Sequence, residues 1–341
     1  MKNKNVGRAQ KIMIQEQNQT EKTKAEFWLK PIVWLTATLL CIALWGSAFP
    51  AVKTGYSLFQ IDNAAPDAVP SLLLFAGIRF FLAGLLMILF TAITEKINPF
   101  PQNTAQWRDS LILAIPQTIF QYGFFFVGLA NTSGAIGSII SSTAAFMEVI
   151  LASFIFVNEK LNFSKTIGCI IGFIGVIVLN ISGGTTLDFN WLGDGLMLLS
   201  ALSTSIGTLI NKLFVKRNHP RLLSGWNFIL GGLVLIITGL SLGGSLSPRN
   251  YTAWLILIYL SALSAVAFAL WTTMLKYHPV SKLGVFKSLI PVVGTIGSAI
   301  VLKENILQSN LIAALILVMA GIGLVNYNKQ INGNNNQVED I

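Results

Sequence analysis

The sequence predicts an all-α membrane protein whose ten transmembrane helices form two inverted five-helix repeats. Three observations support this prediction: an apolar composition, a series of long apolar segments, and similar stretches that recur far apart in the chain. Hydrophobic residues make up 53% of the chain, charged residues make up 11%, and the mean hydropathy is +0.67. This composition excludes an ordinary soluble domain.

The apolar segments set the number of helices. A helix needs about 20 mostly apolar residues to cross a bilayer, because unpaired backbone groups are costly in lipid. Ten segments qualify, at 32–56, 70–94, 109–130, 133–157, 164–182, 192–214, 222–243, 252–275, 281–302 and 308–327. The predicted organisation is therefore a basic cytoplasmic tail (1–30), a first repeat (31–182), an outer connection (183–191), a second repeat (192–328) and a disordered tail (329–341).

Two pairs of similar stretches indicate an internal duplication. Phe146 to Glu159 and Pro291 to Glu304 each close an apolar run with a glutamate at the same spacing. Shortly after each, the glycine-containing stretch from Gly175 to Asn180 recurs from Gly321 to Asn326. Membrane proteins built from two such halves are often transporters.

The basic residues predict the orientation of the helices. Eighteen of the 23 Lys and Arg lie in the N-terminal tail and in five regions that alternate helices bring to one side, at 96–108, 160–165, 212–221, 276–282 and 329. Because basic loops stay in the cytoplasm, both termini are predicted to be cytoplasmic, and five helices per half invert the second repeat. The net charge of +9 is then a topology signal with contact to anionic lipid, so we expect membrane lipid and no nucleic acid as partners. We find no signal peptide and expect the first helix to direct insertion.

Glu148 is the most informative candidate site residue. It lies deep within the fourth predicted helix, where a charged group normally faces a cavity or a partner. Lys287 of the ninth helix lies at a depth that differs by only about 6 Å at 1.5 Å per residue, so the two side chains can meet if these helices pack together. Two interpretations stay open: an ion pair that fixes the helix interface, or a site where Glu148 binds a proton or exchanges Lys287 for substrate.

Further candidates lie in helices 1, 2 and 8. Trp45 stands beside a predicted kink at Pro50 and can form a cavity wall or pack as a core aromatic. We expect Lys53 to snorkel along lipid, and Arg79 either to join helices or to contact ligand; together they would form a basic outer vestibule. Trp271 can form an inner gate, although core packing is the simpler reading.

The third predicted helix carries a polar stripe after a kink. Pro116 precedes Gln117 and Gln121, which are four residues apart on one face, and Tyr122 lies beside them. The stripe fits hydrogen bonds between helices and equally fits contact with the polar groups of an amino acid.

These motifs together resemble the ten-helix EamA type of the drug/metabolite transporter superfamily. The resemblance covers about residues 31–328 and rests on short motifs, namely Trp45-Gly46-Ser47, Ile78-Arg79-Phe80, the helix-ending glutamates and the glycine-rich helices that follow them. It implies an inner-membrane or plasma-membrane carrier, usually an exporter of amino acids or other small metabolites, and a bacterial source. Phe146 stands where the family pattern has the proline that Pro291 supplies in the second half, so we expect helix 4 to be straighter than helix 9.

The sequence favours a carrier over an enzyme. His219 and His278 lie in predicted loops, and the chain has no HExxH or P-loop motif. We therefore expect no cofactor or catalytic residue, and a secondary-active exporter that works by alternating access on a small-molecule substrate, with proton coupling as one option. The alternatives are an uptake carrier or exchanger of the same class, and a non-transporting receptor or assembly protein.

Overall fold

The structure is a computed structural model that describes residues 23, 26–62, 65, 67–155, 161–179, 181–182, 186–187, 189–278, 286–287 and 289–333. We number the long helical segments of these residues α1 (Pro31–Leu58), α2 (Ala68–Glu95), α3 (Thr104–Ala130), α4 (Gly134–Ile155), α5 (Phe163–Leu179), α6 (Trp191–Phe214), α7 (Pro220–Ser241), α8 (Tyr251–Tyr277), α9 (Ile290–Leu302) and α10 (Ser309–Gly333). Between α5 and α6, the two-residue strands β1 (Ile181–Ser182) and β2 (Thr186–Leu187) pair antiparallel.

Most of these helices meet the requirements for crossing a membrane. Within the described ranges, α1 to α4 and α6 to α8 are seven helices long and apolar enough to do so, whereas α5, α9 and the apolar part of α10 are shorter. Each helix overlaps one predicted segment. The largest differences are at α9, which begins at Ile290, and at α10, which continues through residues 329–333 of the predicted tail.

Large apolar side chains cover the outside of the bundle. The exposed fraction is 66% for Ile93 of α2, 80% for Phe154 of α4 and 63% for Ile237 of α7. Aromatic rings fill the interior around Phe75, Phe80 and Phe126, which are fully buried. A bundle with an apolar outside as well as an apolar core is suited to a lipid environment.

Helices α3 and α4 both depart from regular α-helical geometry. In α3, residues Ile115–Phe120 form a π-helical segment whose second residue, Pro116, has no N–H to donate to the preceding turn. The predicted irregularity at Pro116 is therefore a wide turn. In α4, a turn at Ser142 and Thr143 interrupts the helix, whereas α9 is continuous from Ile290 to Leu302, so our expectation that helix 4 is straighter than helix 9 is wrong. Both hydroxyls donate to carbonyls three residues earlier, at 2.6 and 2.7 Å, and so compete with the helical ladder.

Glycines bring two pairs of helices into backbone contact. A Cβ at Gly77 of α2 would lie 2.8 Å from the carbonyl oxygen of Gly232 of α7. A Cβ at Gly168 of α5 would lie 2.7 Å from the carbonyl oxygen of Gly321 of α10. No larger residue fits at these crossings without separating the helices, which explains the glycine-rich sequence of α5.

The pattern of helix contacts is the same in the two halves. Helix α1 packs against α8 and α9, and correspondingly α6 packs against α3 and α4. Helix α2 packs against α8, and α7 packs against α3. The remaining large contacts, α2 with α7 and α5 with α10, join equivalent helices of the two halves.

The bundle has two ends, which we name after a residue at each. The Glu304 end contains the α1–α2, α3–α4, α7–α8 and α9–α10 connections, and the Arg217 end contains the α2–α3 and α6–α7 connections. At the Arg217 end, Asp109 of α3 accepts two hydrogen bonds from Arg217, at 2.7 and 2.6 Å. This hydrogen bonding raises the pKa of Arg217. Glu95 of α2 likewise contacts Arg221, so both ion pairs join the first half to the second.

Candidate functional site

A cavity of about 200 Å³ lies between the two halves of the bundle. Its wall contains the eight predicted residues Trp45, Arg79, Gln117, Gln121, Tyr122, Glu148, Trp271 and Lys287. These residues come from five helices and from the segment before α9, so the cavity depends on contacts between distant parts of the chain. We call it the central cavity.

Glu148 and Lys287 contact each other in the wall of the central cavity. The Lys287 Nζ atom lies 3.4 and 3.5 Å from the two carboxylate oxygens of Glu148. The Thr208 hydroxyl of α6 donates to Glu148 Oε1 at 3.0 Å. Both charged side chains are largely buried, with exposed fractions of 12% for Glu148 and 19% for Lys287. The carboxylate therefore has one cationic and one neutral donor, and it remains within reach of the cavity.

Aromatic side chains hold Lys287 from the other side. Its Nζ atom lies 5.0 Å from the ring centroid of Trp271, a cation–π contact. Trp271 packs edge-on against Trp45 with 5.1 Å between centroids, and Trp45 contacts Phe268 at 5.6 Å. Trp271 thus packs in the core and also lines the central cavity, and its role as an inner gate stays a prediction.

Arg79 faces the central cavity from α2. Its Nε atom donates to the carbonyl oxygen of Leu260 at 3.3 Å, and its Nη2 atom donates to the Ser264 hydroxyl at 3.0 Å. The guanidinium lies 4.9 Å from the ring centroid of Phe80, and only 4% of Arg79 is exposed. Arg79 therefore joins α2 to α8 and also contributes to the cavity wall.

The π-helical turn of α3 places its polar side chains in the cavity. Gln117 accepts a hydrogen bond from Asn227 of α7 at 3.3 Å, and Tyr122 stacks on Phe80 with 3.6 Å between centroids. Within the described part of the chain, the side-chain oxygen of Gln121 is buried without a hydrogen-bond partner. The polar stripe thus supplies helix contacts through Gln117 and a free acceptor through Gln121.

A second polar stripe, on α6, was missed by the sequence analysis. Ser200, Thr204, Thr208 and Asn211 all line the central cavity. Asn211 is 5% exposed, and its side-chain oxygen is another buried acceptor without a partner among the described residues. The signal was present in the sequence, because these residues recur at helical spacing within an apolar segment.

The three predicted kink prolines do not line the cavity. Pro50 lies inside α1, where the Thr54 hydroxyl donates to its carbonyl oxygen at 2.9 Å. Pro116 is the second residue of the π-helical turn described above. Pro291 is in the first turn of α9, where proline removes no helical hydrogen bond, so it does not kink the helix interior.

The predicted outer vestibule is wrong. Lys53 does not extend along the lipid surface, because its Nζ atom donates to the carbonyl oxygens of Leu129 and Thr132 at 3.4 and 2.5 Å. Leu129 lies in the last turn of α3 and Thr132 lies just after the helix, where carbonyl oxygens lack helical partners, so an ammonium group satisfies them. Arg79 instead faces the central cavity.

Helices α4 and α9 meet closely at the Glu304 end. The carboxylate of Glu304 accepts hydrogen bonds from the backbone N–H groups of Gly134 and Ala135, at 2.8 and 3.0 Å. It therefore caps the first turn of α4, in the other half of the chain. The repeat-related Glu159 lies outside the described residues.

A helical bundle with an apolar outer surface and a polar cavity between two similar halves defines a multi-pass membrane transporter. The EamA-like transporter family model matches residues 32–181 and 191–327, and the chain belongs to this family. The predicted membership of the drug/metabolite transporter superfamily and the prediction that the chain is not an enzyme are therefore confirmed.

Curated relatives are similar over most of their length. A probable amino-acid metabolite efflux pump of Escherichia coli is 27% identical, over 83% of this chain and 91% of the relative. The uncharacterized transporter YvbV of Bacillus subtilis is 29% identical, over 85% of this chain and 91% of the relative. A chloroplastic WAT1-related protein of Arabidopsis thaliana is 27% identical, over 83% of this chain and 67% of the relative.

A solved crystal structure has the same fold. It superposes with a TM-score of 0.64 and 18% sequence identity, over 87% of this chain and 97% of the other. At that level of identity the similarity shows the fold alone.

Proposed function

We propose that the protein is a secondary-active exporter of amino acids or related small metabolites, and that Glu148 couples transport to protons by alternating access. The observation that supports this proposal is the contact of Glu148 with Lys287 and Thr208 in the wall of the central cavity. Similarity to a probable amino-acid metabolite efflux pump supports the choice of cargo.

The proposed membrane arrangement has ten spanning helices in two inverted repeats. The matching contacts of the two halves support it, because a two-fold axis in the membrane plane would exchange α1 with α6, α2 with α7 and α3 with α8. We place both termini and the Arg217 end in the cytoplasm of a cell membrane. The excess of Lys and Arg in the connections at that end supports this orientation.

Protonation of Glu148 changes the charge balance of the cavity wall. In the ionised pair each charge compensates the other, so both groups can remain largely buried. A proton on Glu148 removes this compensation, leaves Lys287 with a neutral partner and favours rearrangement of the segment that holds it. Arg79 is the third charged group in the wall. Binding of a proton or a cationic group of the cargo at Glu148 thus shifts the balance between two conformations.

The choice of export rests on the similarity to a probable amino-acid metabolite efflux pump. Helices α4 and α9 are joined at the Glu304 end by contacts through Gly134 and Ser138. With the proposed orientation, these contacts hold the outer end of the crossing together.

The test is flux in proteoliposomes, with a panel of amino acids and small metabolites and with or without a pH gradient. The native protein and Glu148→Gln are compared after both are shown to be folded. The matched control is Glu95→Gln, which changes a carboxylate that pairs with Arg221 and does not line the central cavity.

We expect Glu148→Gln to lose the response to the pH gradient and Glu95→Gln to retain it. An unchanged response in folded Glu148→Gln would show that Glu148 is structural. No flux across the panel would favour the receptor or assembly reading, and flux that requires exchange or inward gradients would favour the other carrier readings.

A further inference from the structure

The central cavity carries an excess positive charge. Among its described lining residues, the charged side chains are Arg79, Glu148 and Lys287. Glu148 and Lys287 contact each other and cancel, so the charge of Arg79 is uncompensated. A buried charge without a counterion is unfavourable, and an ionisable residue within a membrane helix is by default a candidate functional residue.

The neutral contacts of Arg79 leave it able to bind an anion. A guanidinium has five N–H donors, and its hydrogen bonds in the described structure go to the carbonyl oxygen of Leu260 and the hydroxyl of Ser264. The Ser264 hydroxyl itself donates to Leu260, so it accepts from Arg79. The stacked rings of Phe80 and Tyr122 lie beside the guanidinium and limit its rotation. The planar group is therefore held in place by neutral partners, with its charge available to the cavity.

We propose that Arg79 binds the carboxylate of the cargo and makes a carboxylate a requirement for binding. This proposal rests on the proposed function, in which the central cavity is the cargo site. A carboxylate on Arg79 makes the cavity neutral while Glu148 is ionised, and the planar guanidinium can bind both carboxylate oxygens. The buried oxygens of Gln121 and Asn211 supply acceptors for donor groups elsewhere on the same molecule.

The binding assay uses the full chain in lipid nanodiscs and a panel of L-amino acids, each with its carboxamide and its decarboxylated amine. The readout is the shift of the unfolding temperature with probe concentration, because a ligand that binds only the folded protein stabilises it. Binding is measured without flux, so a failure of the coupling role of Glu148 leaves this result unaffected.

We expect stabilisation by a subset of the amino acids and about tenfold weaker binding of the matching carboxamides and amines, since hydrogen bonds to a charged partner are the stronger ones. Arg79→Gln should bind the acid and the amide alike. Arg79→Lys should recover part of the preference, because it restores the charge without the planar geometry. The matched control Arg249→Gln changes an exposed arginine of the Glu304 end and should keep the native preference.

Several results would overturn the proposal. These are equal binding of acids and carboxamides by the native protein, a native preference in folded Arg79→Gln, and stabilisation by none of the carboxylates in the panel. Because Arg79 also joins α2 to α8, Arg79→Gln can fail to fold. The acid-to-amide comparison on the native protein and the milder Ser264→Ala variant, which should reduce the preference, then decide the question.

Discussion

Helices α4 and α9 make different kinds of contact at the two ends of the bundle. At the Glu304 end, a Cβ at Gly294 would lie 2.6 Å from the Ser138 Cβ, and Glu304 binds two backbone N–H groups at the start of α4. Toward the Arg217 end, Glu148 of α4 contacts Lys287, which lies just before α9, through two long side chains.

The two kinds of contact respond differently when the helices move apart. Where the backbones pack closely, a small separation of the helices weakens the van der Waals contacts and the Glu304 cap together. An ion pair between long side chains can adjust to a change in helix spacing, and it responds to protonation or to a charged ligand. In the cycle that we propose, the carrier breaks the first kind of contact when it alternates, and Glu148 favours that step.

Locking the Glu304 end should have the largest effect. The hydroxyl oxygens of Ser138 and Thr295 are 3.3 Å apart, so Ser138→Cys with Thr295→Cys places two thiols within bonding reach. We expect oxidation to reduce flux in proteoliposomes to background and a reductant to restore it. The single cysteine variants are the controls, and the native Cys41 and Cys169 are buried elsewhere. Full flux in the cross-linked protein would show that this end does not open.

Overpacking the same crossing is expected to be the next most damaging change. Gly294→Val forces methyl groups against Ser138 and Phe49, and overpacking of this kind typically costs about 1–3 kcal/mol. Gly323→Val is the matched control, because a Cβ there has nothing within 4 Å. Thermal unfolding should separate the two variants, with the lower midpoint for Gly294→Val. Equal midpoints would contradict the close packing of α4 on α9.

From the sequence we could pair site residues that lie at a similar depth in the membrane. Glu148 and Lys287 could be paired because charged residues are scarce in apolar segments and their depth follows from the helical rise. Arg79 was also identified as a candidate, but its side of the helix was not, so it was assigned to the wrong region.

Other features depend on groups that a hydropathy pattern does not contain. Lys53 binds carbonyl oxygens at the end of α3, and the sequence does not show where such backbone acceptors lie in space. The interruption of α4 results from competition between side-chain hydroxyls and the helical ladder at Ser142 and Thr143. The polar stripe of α6, in contrast, could have been found in the sequence. It was missed because a hydroxyl side chain in a membrane helix usually forms a hydrogen bond with the backbone of its own helix.

Weakening the cap of α4 should have a smaller effect than overpacking. Glu304→Gln keeps one acceptor oxygen and removes the charge, so we expect a loss of about 1 kcal/mol in folding free energy and an easier opening of this end. Glu26→Gln, a change at an exposed residue, is the control for the altered charge. Thermal unfolding and the rate of modification of a cysteine introduced at Ser138 report the two effects. Unchanged values in both assays would show that the cap contributes little to closure.

Changes at Trp271, whose ring contacts Lys287 of the ion pair, should have the smallest effect. Trp271→Phe retains a ring beneath Lys287, whereas Trp271→Leu removes the cation–π contact, which is worth about 0.5–1 kcal/mol at a partly exposed site. We therefore expect near-native flux for Trp271→Phe and a reduction of a few-fold for Trp271→Leu, with a changed pH dependence only in the latter. Both variants replace Trp271 with a smaller side chain and reduce its contact with Trp45, so a loss of packing alone would affect them similarly. Equal flux and equal pH profiles would mean that Trp271 supports the core and not the charge on Lys287. The contact between Glu148 and Lys287 would then depend on these two side chains and on the hydrogen bond from Thr208 to Glu148.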